Sequence, residues 1–129
     1  MARIPNVFTA FANVVAGVYL ARAGRFEARD GLLVAASGAL YLGGMVLNDL
    51  FDRRIDAVER PERPIPSGAV TPAAAAILGF GLLALGIMLA GLFGVRTLAV
   101  AVALTAAILL YDGRVKGTGW GPLAMGTCR

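Results

Sequence analysis

Residues 31–56 read GLLVAASGALYLGGMVLNDLFDRRID. The stretch changes character after Asn48. Residues 31–48 hold no Asp, Glu, Lys or Arg, and then Asp49, Asp52, Arg53, Arg54 and Asp56 follow in quick succession. The uncharged run approaches the roughly 20 apolar residues that a helix needs to cross a hydrocarbon core. A lipid-crossing helix that ends in a charged face is the reading that decides the fold.

The rest of the chain repeats the pattern. Residues 4–21, 64–95 and 97–111 are also free of Asp, Glu, Lys and Arg. The 129 residues are 58% hydrophobic and only 16% charged, against about 25% charged in soluble domains, and the mean hydropathy is +0.75. A soluble domain of this size has too much surface to cover with so few charges, which points to lipid as the solvent. The expected fold is therefore all-α: a polytopic transmembrane helix bundle of about four spans plus the start of a fifth. Residues 1–129 are expected to form the amino-terminal part of a single membrane-embedded domain, and the sequence shows no convincing internal repeat.

Local signals place the helices. A first helix is expected from Val7 to Leu20, a second from Gly31 past Leu47 into the charged segment, and a loop from Ala57 to Thr71. Pro61, Pro64, Pro66 and Gly68 punctuate that loop. Thr71 followed by Pro72 has the form of an N-cap with proline at the first helical position, which opens a third span. Gly94-Val95-Arg96-Thr97 reads as a tight turn into a fourth helix ending near Tyr111, and residues 112–121 as a glycine-rich loop. The fourth run is short, so Arg96 is expected to reach toward the headgroups. Arg3, the following apolar run and Ala21-Arg22-Ala23 loosely imitate a signal peptide. Pro5, Asn6 and Asn13 interrupt that run, so the first helix is read as retained. Ala75-x-x-x-Gly79 and Ala90-x-x-x-Gly94 have the spacing of close helix contacts.

Several classes of function are excluded. There is no histidine, which removes the commonest general base and any His-ligated metal site. Cys128 stands alone, so no intrachain disulfide forms. The net charge of +4 reflects basic residues beside apolar spans, a pattern of membrane topology rather than nucleic-acid binding. Arg3, the four arginines of 53–63, Arg114 and Lys116 fall on one side; Arg22, Arg25, Arg29 and Arg96 fall on the other. The amino terminus and the 51–71 and 112–121 loops are thereby expected in the cytoplasm, in an integral protein of the cell inner membrane.

The polar cluster carries the chemistry. Asp49, Asp52 and Asp56 are three and four residues apart and share one helix face. Like charges so placed repel, more so near a membrane core, and something positive should offset them. Two offsets fit the spacing. Arg53 and Arg60 stand four residues after Asp49 and Asp56, which would give a salt-bridged helix end. Alternatively, a magnesium ion could take the carboxylates, with Asn48 adding an amide oxygen. Arg60 and Arg63, in a proline-stiffened loop beside the acids, suit bidentate phosphate recognition. Together the two groups have the makings of a diphosphate clamp.

Asn48-Asp49-x-x-Asp52-x-x-x-Asp56, followed by Arg60, Arg63-Pro64 and Ser67-Gly68, resembles the first aspartate-rich motif of the UbiA-type intramembrane prenyltransferases. Arg3-x-Pro5-Asn6 is similar to that family's opening. Tyr111-Asp112 and Gly121-Pro122 through Arg129 resemble an EboC-like subtype. The resemblance implies transfer of an isoprenyl group from an isoprenyl diphosphate to an acceptor, often an aromatic ring. It implies Mg2+ on Asn48, Asp49, Asp52 and Asp56, with Asp49, Asp52 and Asp56 as the catalytic acids. Asn48, Arg60 and Arg63 would serve the donor's diphosphate. Loss of diphosphate would leave an allylic carbocation, kept from water by the apolar spans.

Tyr111 and Lys116 resemble a later Tyr-Pro-x-x-Lys-Arg loop of the family, with Asp112 in place of its proline and Val115 in place of its lysine. Lys116 would then contact phosphate, while Tyr111 fits an interfacial aromatic equally well. Family members run to about twice this length and carry a second aspartate-rich motif, so the resemblance implies half of a site. It would be completed by further chain or by another copy, and the chain alone is expected to be inactive.

Two other readings compete. Asp112-Gly113-Arg114 echoes the opening of a CDP-alcohol phosphotransferase motif, which would release CMP rather than diphosphate. A cation-conducting or transporter-like bundle could use Asp49, Asp52 and Asp56 as an ion path. Ion flux dependent on Asp52 would identify it.

Overall fold

The computed structural model describes residues 4–111, with side chains from Phe8 onward. Within these residues the chain forms four helices: α1 (Ile4–Ala21), α2 (Asp30–Glu59), α3 (Pro72–Phe93) and α4 (Val95–Leu110). The start of a fifth span, and the readings placed on residues 112–129, lie outside the described residues.

The element that positions the site is α2. Its 30 residues extend about 45 Å at 1.5 Å per residue, well beyond a hydrocarbon core of about 30 Å. The uncharged part, residues 31–48, spans about 27 Å of that length. Asp49 therefore stands where the apolar segment ends, and the helix continues to Glu59. The loop expected from Ala57 begins only at Arg60, whose backbone N–H donates to the Asp56 carbonyl oxygen.

α3 packs along α2 as its main partner. The buried positions of α3 are Ala75, Gly79, Leu83, Gly86 and Ala90, three or four apart and hence on one face. They meet Ala36, Leu40, Leu47 and Leu50 of α2. At Gly43 the approach is to backbone. A Cβ on Gly43 would lie 2.9 Å from the Gly79 carbonyl oxygen and 3.0 Å from the Leu83 nitrogen. The Ala75–Gly79 spacing thus belongs to the interface. Gly94 is not a second contact of that kind: a Cβ there would meet nothing within 4 Å, and the residue alone joins α3 to α4. The expected four-residue turn is shortened because Val95, Arg96 and Thr97 are already helical.

Caps hold the ends. The Thr71 hydroxyl accepts from the Ala74 N–H at 3.2 Å and Pro72 opens α3, as predicted. At the far end of α3, Arg29 donates from Nη2 to the Phe93 carbonyl at 2.9 Å, and its guanidinium lies 5.4 Å from the Phe93 ring centroid. That contact satisfies a carbonyl that the helix end leaves open and adds cation–π attraction. Ala23 (φ 50°) and Gly24 (φ 83°) turn the chain out of α1. The 22–30 segment between α1 and α2 is tied down by its charges. Asp30 is 2% exposed and pairs with Arg22, which also holds Glu27 at 2.9 Å.

The outer surface is apolar, with Leu20, Ile77, Phe80, Met88, Leu92 and Val100 largely exposed. α2 and α3 are each long and apolar enough to cross a membrane; the apolar parts of the other two, Phe8–Ala21 and Val95–Leu110, are shorter. α4, at 16 residues, reaches only about 24 Å.

Candidate active site

The last turns of α2 and the loop that follows form the site. Asp49 and Asp56 are two turns apart on one face, as their spacing requires. Their partner comes from the loop. Arg63 Nη1 donates to Asp56 Oδ2 at 2.6 Å and to Asp49 Oδ1 at 3.1 Å. The i,i+4 pairs expected from spacing are replaced by this bridge. Arg53 turns its Nη1 to the Leu50 carbonyl at 2.9 Å instead, and Arg60 is exposed. One guanidinium nitrogen thereby faces both carboxylates.

The loop is built to present Arg63. The Ser67 N–H donates to the Arg63 carbonyl at 2.9 Å and the Val70 N–H to the Pro64 carbonyl at 2.9 Å. Gly68 takes φ 79°, a left-handed conformation that most side chains resist. These bonds close residues 63–70 on themselves and fix the backbone under Arg63. Between this loop, the end of α2 and the start of α3 lies a cavity of about 150 Å³. Asp49, Asp56 and Arg63 form its polar wall, and Ile65, Pro66 and Leu78 its apolar wall. Nothing in the sequence signalled that apolar wall beyond the prolines themselves.

The other expected residues divide. Asn48 Nδ2 donates to Asp52 Oδ2 at 3.3 Å, one turn along the helix. Tyr111 ends α4, and its N–H donates to the carbonyls of Ala107 and Ile108. α4 runs back parallel to α2, with Ile108 against Gly44, so Tyr111 stands at the same end of the bundle as Asp49. Lys116 lies outside the described residues.

The donor set is one that a hard divalent cation accepts. Two carboxylates already present oxygens to one cationic nitrogen, and magnesium takes one or two carboxylates and completes its shell with water and phosphate. Among the described residues no three acidic side chains converge on a common point. Asp49 and Asp56 thus form one pair of oxygens, and Asp52 with Asn48 a separate one.

Residues 10–129 match the UbiA prenyltransferase family, and the chain belongs to it. It is 37% identical over 118 residues to a digeranylgeranylglyceryl phosphate synthase of Methanopyrus kandleri, covering 92% of this chain and 43% of that protein. It is 33% identical to the synthase of the same name from Metallosphaera sedula, over 98% of this chain and 45% of the relative. A solved structure described as that synthase in membranes superposes with a TM-score of 0.92 at 26% identity, over 98% of this chain and 46% of that one. The chain spans less than half the length of these relatives.

Proposed function

We propose that this chain forms the donor-binding half of a membrane prenyltransferase that transfers an isoprenyl group from an isoprenyl diphosphate. The observation that carries the reading is the convergence of Asp49, Asp56 and Arg63 on one small cavity at the polar end of α2. Carboxylates for a metal and guanidinium for phosphate are the two halves of a diphosphate clamp. Asp49 and Asp56, with Asp52 and Asn48 beside them, would hold Mg2+. When bound, Mg2+ would neutralise charge on the departing diphosphate. Arg63, and Arg60 from the same loop, would orient the phosphate oxygens, with Tyr111 at the same end of the bundle; Lys116 is proposed as a further phosphate contact from the sequence alone. The apolar flanks of α2 and α3 would house the isoprenyl tail and exclude water.

The acceptor is drawn from the relatives. Their name describes a glyceryl phosphate carrying two geranylgeranyl groups. That name favours a lipid hydroxyl as acceptor over the aromatic ring expected above, and it favours this branch over the EboC-like subtype. Membership in the family weighs against the CDP-alcohol phosphotransferase and ion-conducting readings. The charge distribution supports an orientation with the 51–71 loop in the cytoplasm of an inner-membrane protein. The remaining half of the site would come from further chain or a second copy.

Binding of a radiolabelled isoprenyl diphosphate to the purified protein in detergent, with and without Mg2+, tests the reading. Magnesium-dependent binding that disappears in Asp49→Asn, Asp52→Asn and Asp56→Asn is the expected result. Binding unchanged by all three substitutions overturns the metal assignment.

A further inference from the structure

We propose that Arg63 is a resident counter-cation of the Asp49–Asp56 pair, so that a divalent metal alone binds poorly and loads together with the anionic donor. The inference rests on the diphosphate-clamp reading and adds how that clamp is kept shut. Asp56 and Arg63 have side chains 8% and 17% exposed. Two carboxylates this close, one of them buried, are costly without a cation between them. Arg63 Nη1 occupies that position, at hydrogen-bond distance from one oxygen of each acid. A metal ligated by those same oxygens must displace it.

Displacement has different costs in two situations. Without an anion, the guanidinium leaves two carboxylates and gains only water. The loop backbone below it is held by the Ser67–Arg63 and Val70–Pro64 hydrogen bonds, so relief must come from the side chain pivoting. With a diphosphate present, the guanidinium passes from carboxylate to phosphate, two partners its planar fork matches equally well. The metal then takes the carboxylates, and every charge keeps a partner. Metal and anion thereby raise each other's affinity, and by the same factor, because the coupling is reciprocal.

The test uses binding of Mn2+ alone, read by the electron paramagnetic resonance signal of the free ion, with the purified protein in detergent. Arg63→Gln is expected to bind Mn2+ about tenfold more tightly than the unsubstituted protein, within the usual range of site-to-site coupling. The gain is expected to vanish in the Arg63→Gln/Asp49→Asn and Arg63→Gln/Asp56→Asn double variants, which locates it at this site. Arg63→Lys keeps the charge but loses the fork, and is expected to give a smaller gain. It serves in place of Arg63→Gln should that variant fail to fold. If Asp49→Asn weakens Mn2+ binding while neither Arg63 variant strengthens it, Arg63 is not the resident cation and the proposal falls, with the metal site intact. If no substitution of Asp49 or Asp56 affects Mn2+ binding in any background, the clamp reading fails and takes the proposal with it.

Discussion

Arg63 and Asp56 stand seven residues apart in sequence and 2.6 Å apart in space, because the chain reverses at Arg60 and lays its loop back against the end of α2. The same guanidinium nitrogen reaches Asp49 two helical turns further down. The pair is mostly enclosed, so it does not behave as a surface ion pair.

Removing Arg63 should destabilise the protein before any ligand is considered. Arg63→Ala leaves Asp56 buried beside Asp49 with no cation between them. A fully buried pair broken this way costs about 3–5 kcal/mol. Partial exposure and salt screening reduce that to about 2 kcal/mol. Thermal unfolding in detergent, without divalent metal, should show a lowered midpoint. Arg63→Ala combined with Asp56→Asn should recover part of it.

The same substitution separates recognition of phosphate from recognition of the tail. Arg63→Ala is expected to weaken binding of an isoprenyl diphosphate by about tenfold or more, the scale of a charge-assisted bond of roughly 1.5–3 kcal/mol. Binding of the corresponding isoprenyl alcohol should be spared. Equal loss for both ligands in competition binding would count against contact between Arg63 and phosphate.

The α2–α3 contact should be intolerant at one glycine and tolerant at another. Gly43→Ala places a methyl 2.9 Å from a carbonyl oxygen of α3. Backbone cannot step aside as a side-chain tip can, so a loss of about 1–3 kcal/mol is expected. Gly81→Ala, on α3 with nothing within 4 Å of the added carbon, should be neutral or stabilising by up to about 1 kcal/mol through helix propensity. Paired unfolding curves in one detergent check the contrast.

At the start of α3, Thr71→Ala should cost about 1 kcal/mol by freeing the Ala74 N–H. Thr71→Ser keeps the accepting oxygen and should leave the unfolding midpoint nearly unchanged.

What could be read from the sequence was what local chemistry determines. Thr71-Pro72 announced the start of α3 because a cap and a proline act within one turn. The uncharged runs announced the helices because lipid excludes charge over a fixed thickness. The shared face of Asp49 and Asp56 followed from helical periodicity. The partner of those acids did not follow, because i,i+4 spacing offered Arg53 and Arg60, while the fold of residues 60–71 delivers Arg63. Gly43 was hidden among many small residues, and the Ala75–Gly79 spacing looked no different from Ala90–Gly94, since spacing alone cannot tell which glycine faces a neighbour. Asp30 was hidden for a related reason. A charge between two helices reads as linker, and only the packed structure shows it enclosed beside Arg22.

α2 runs unbroken from the buried Asp30 to Glu59, which makes it a ruler between the two faces of the bundle. Asp30 anchors its zero mark against Arg22, and Asp49 and Asp56 are graduations at the other end. One residue inserted between positions 31 and 47 would advance those graduations by about 1.5 Å and swing them by about 100°. Both acids, and the loop that follows them, would then turn relative to α3 although no side chain of the site had been altered. Length, as much as composition, is what this helix must conserve.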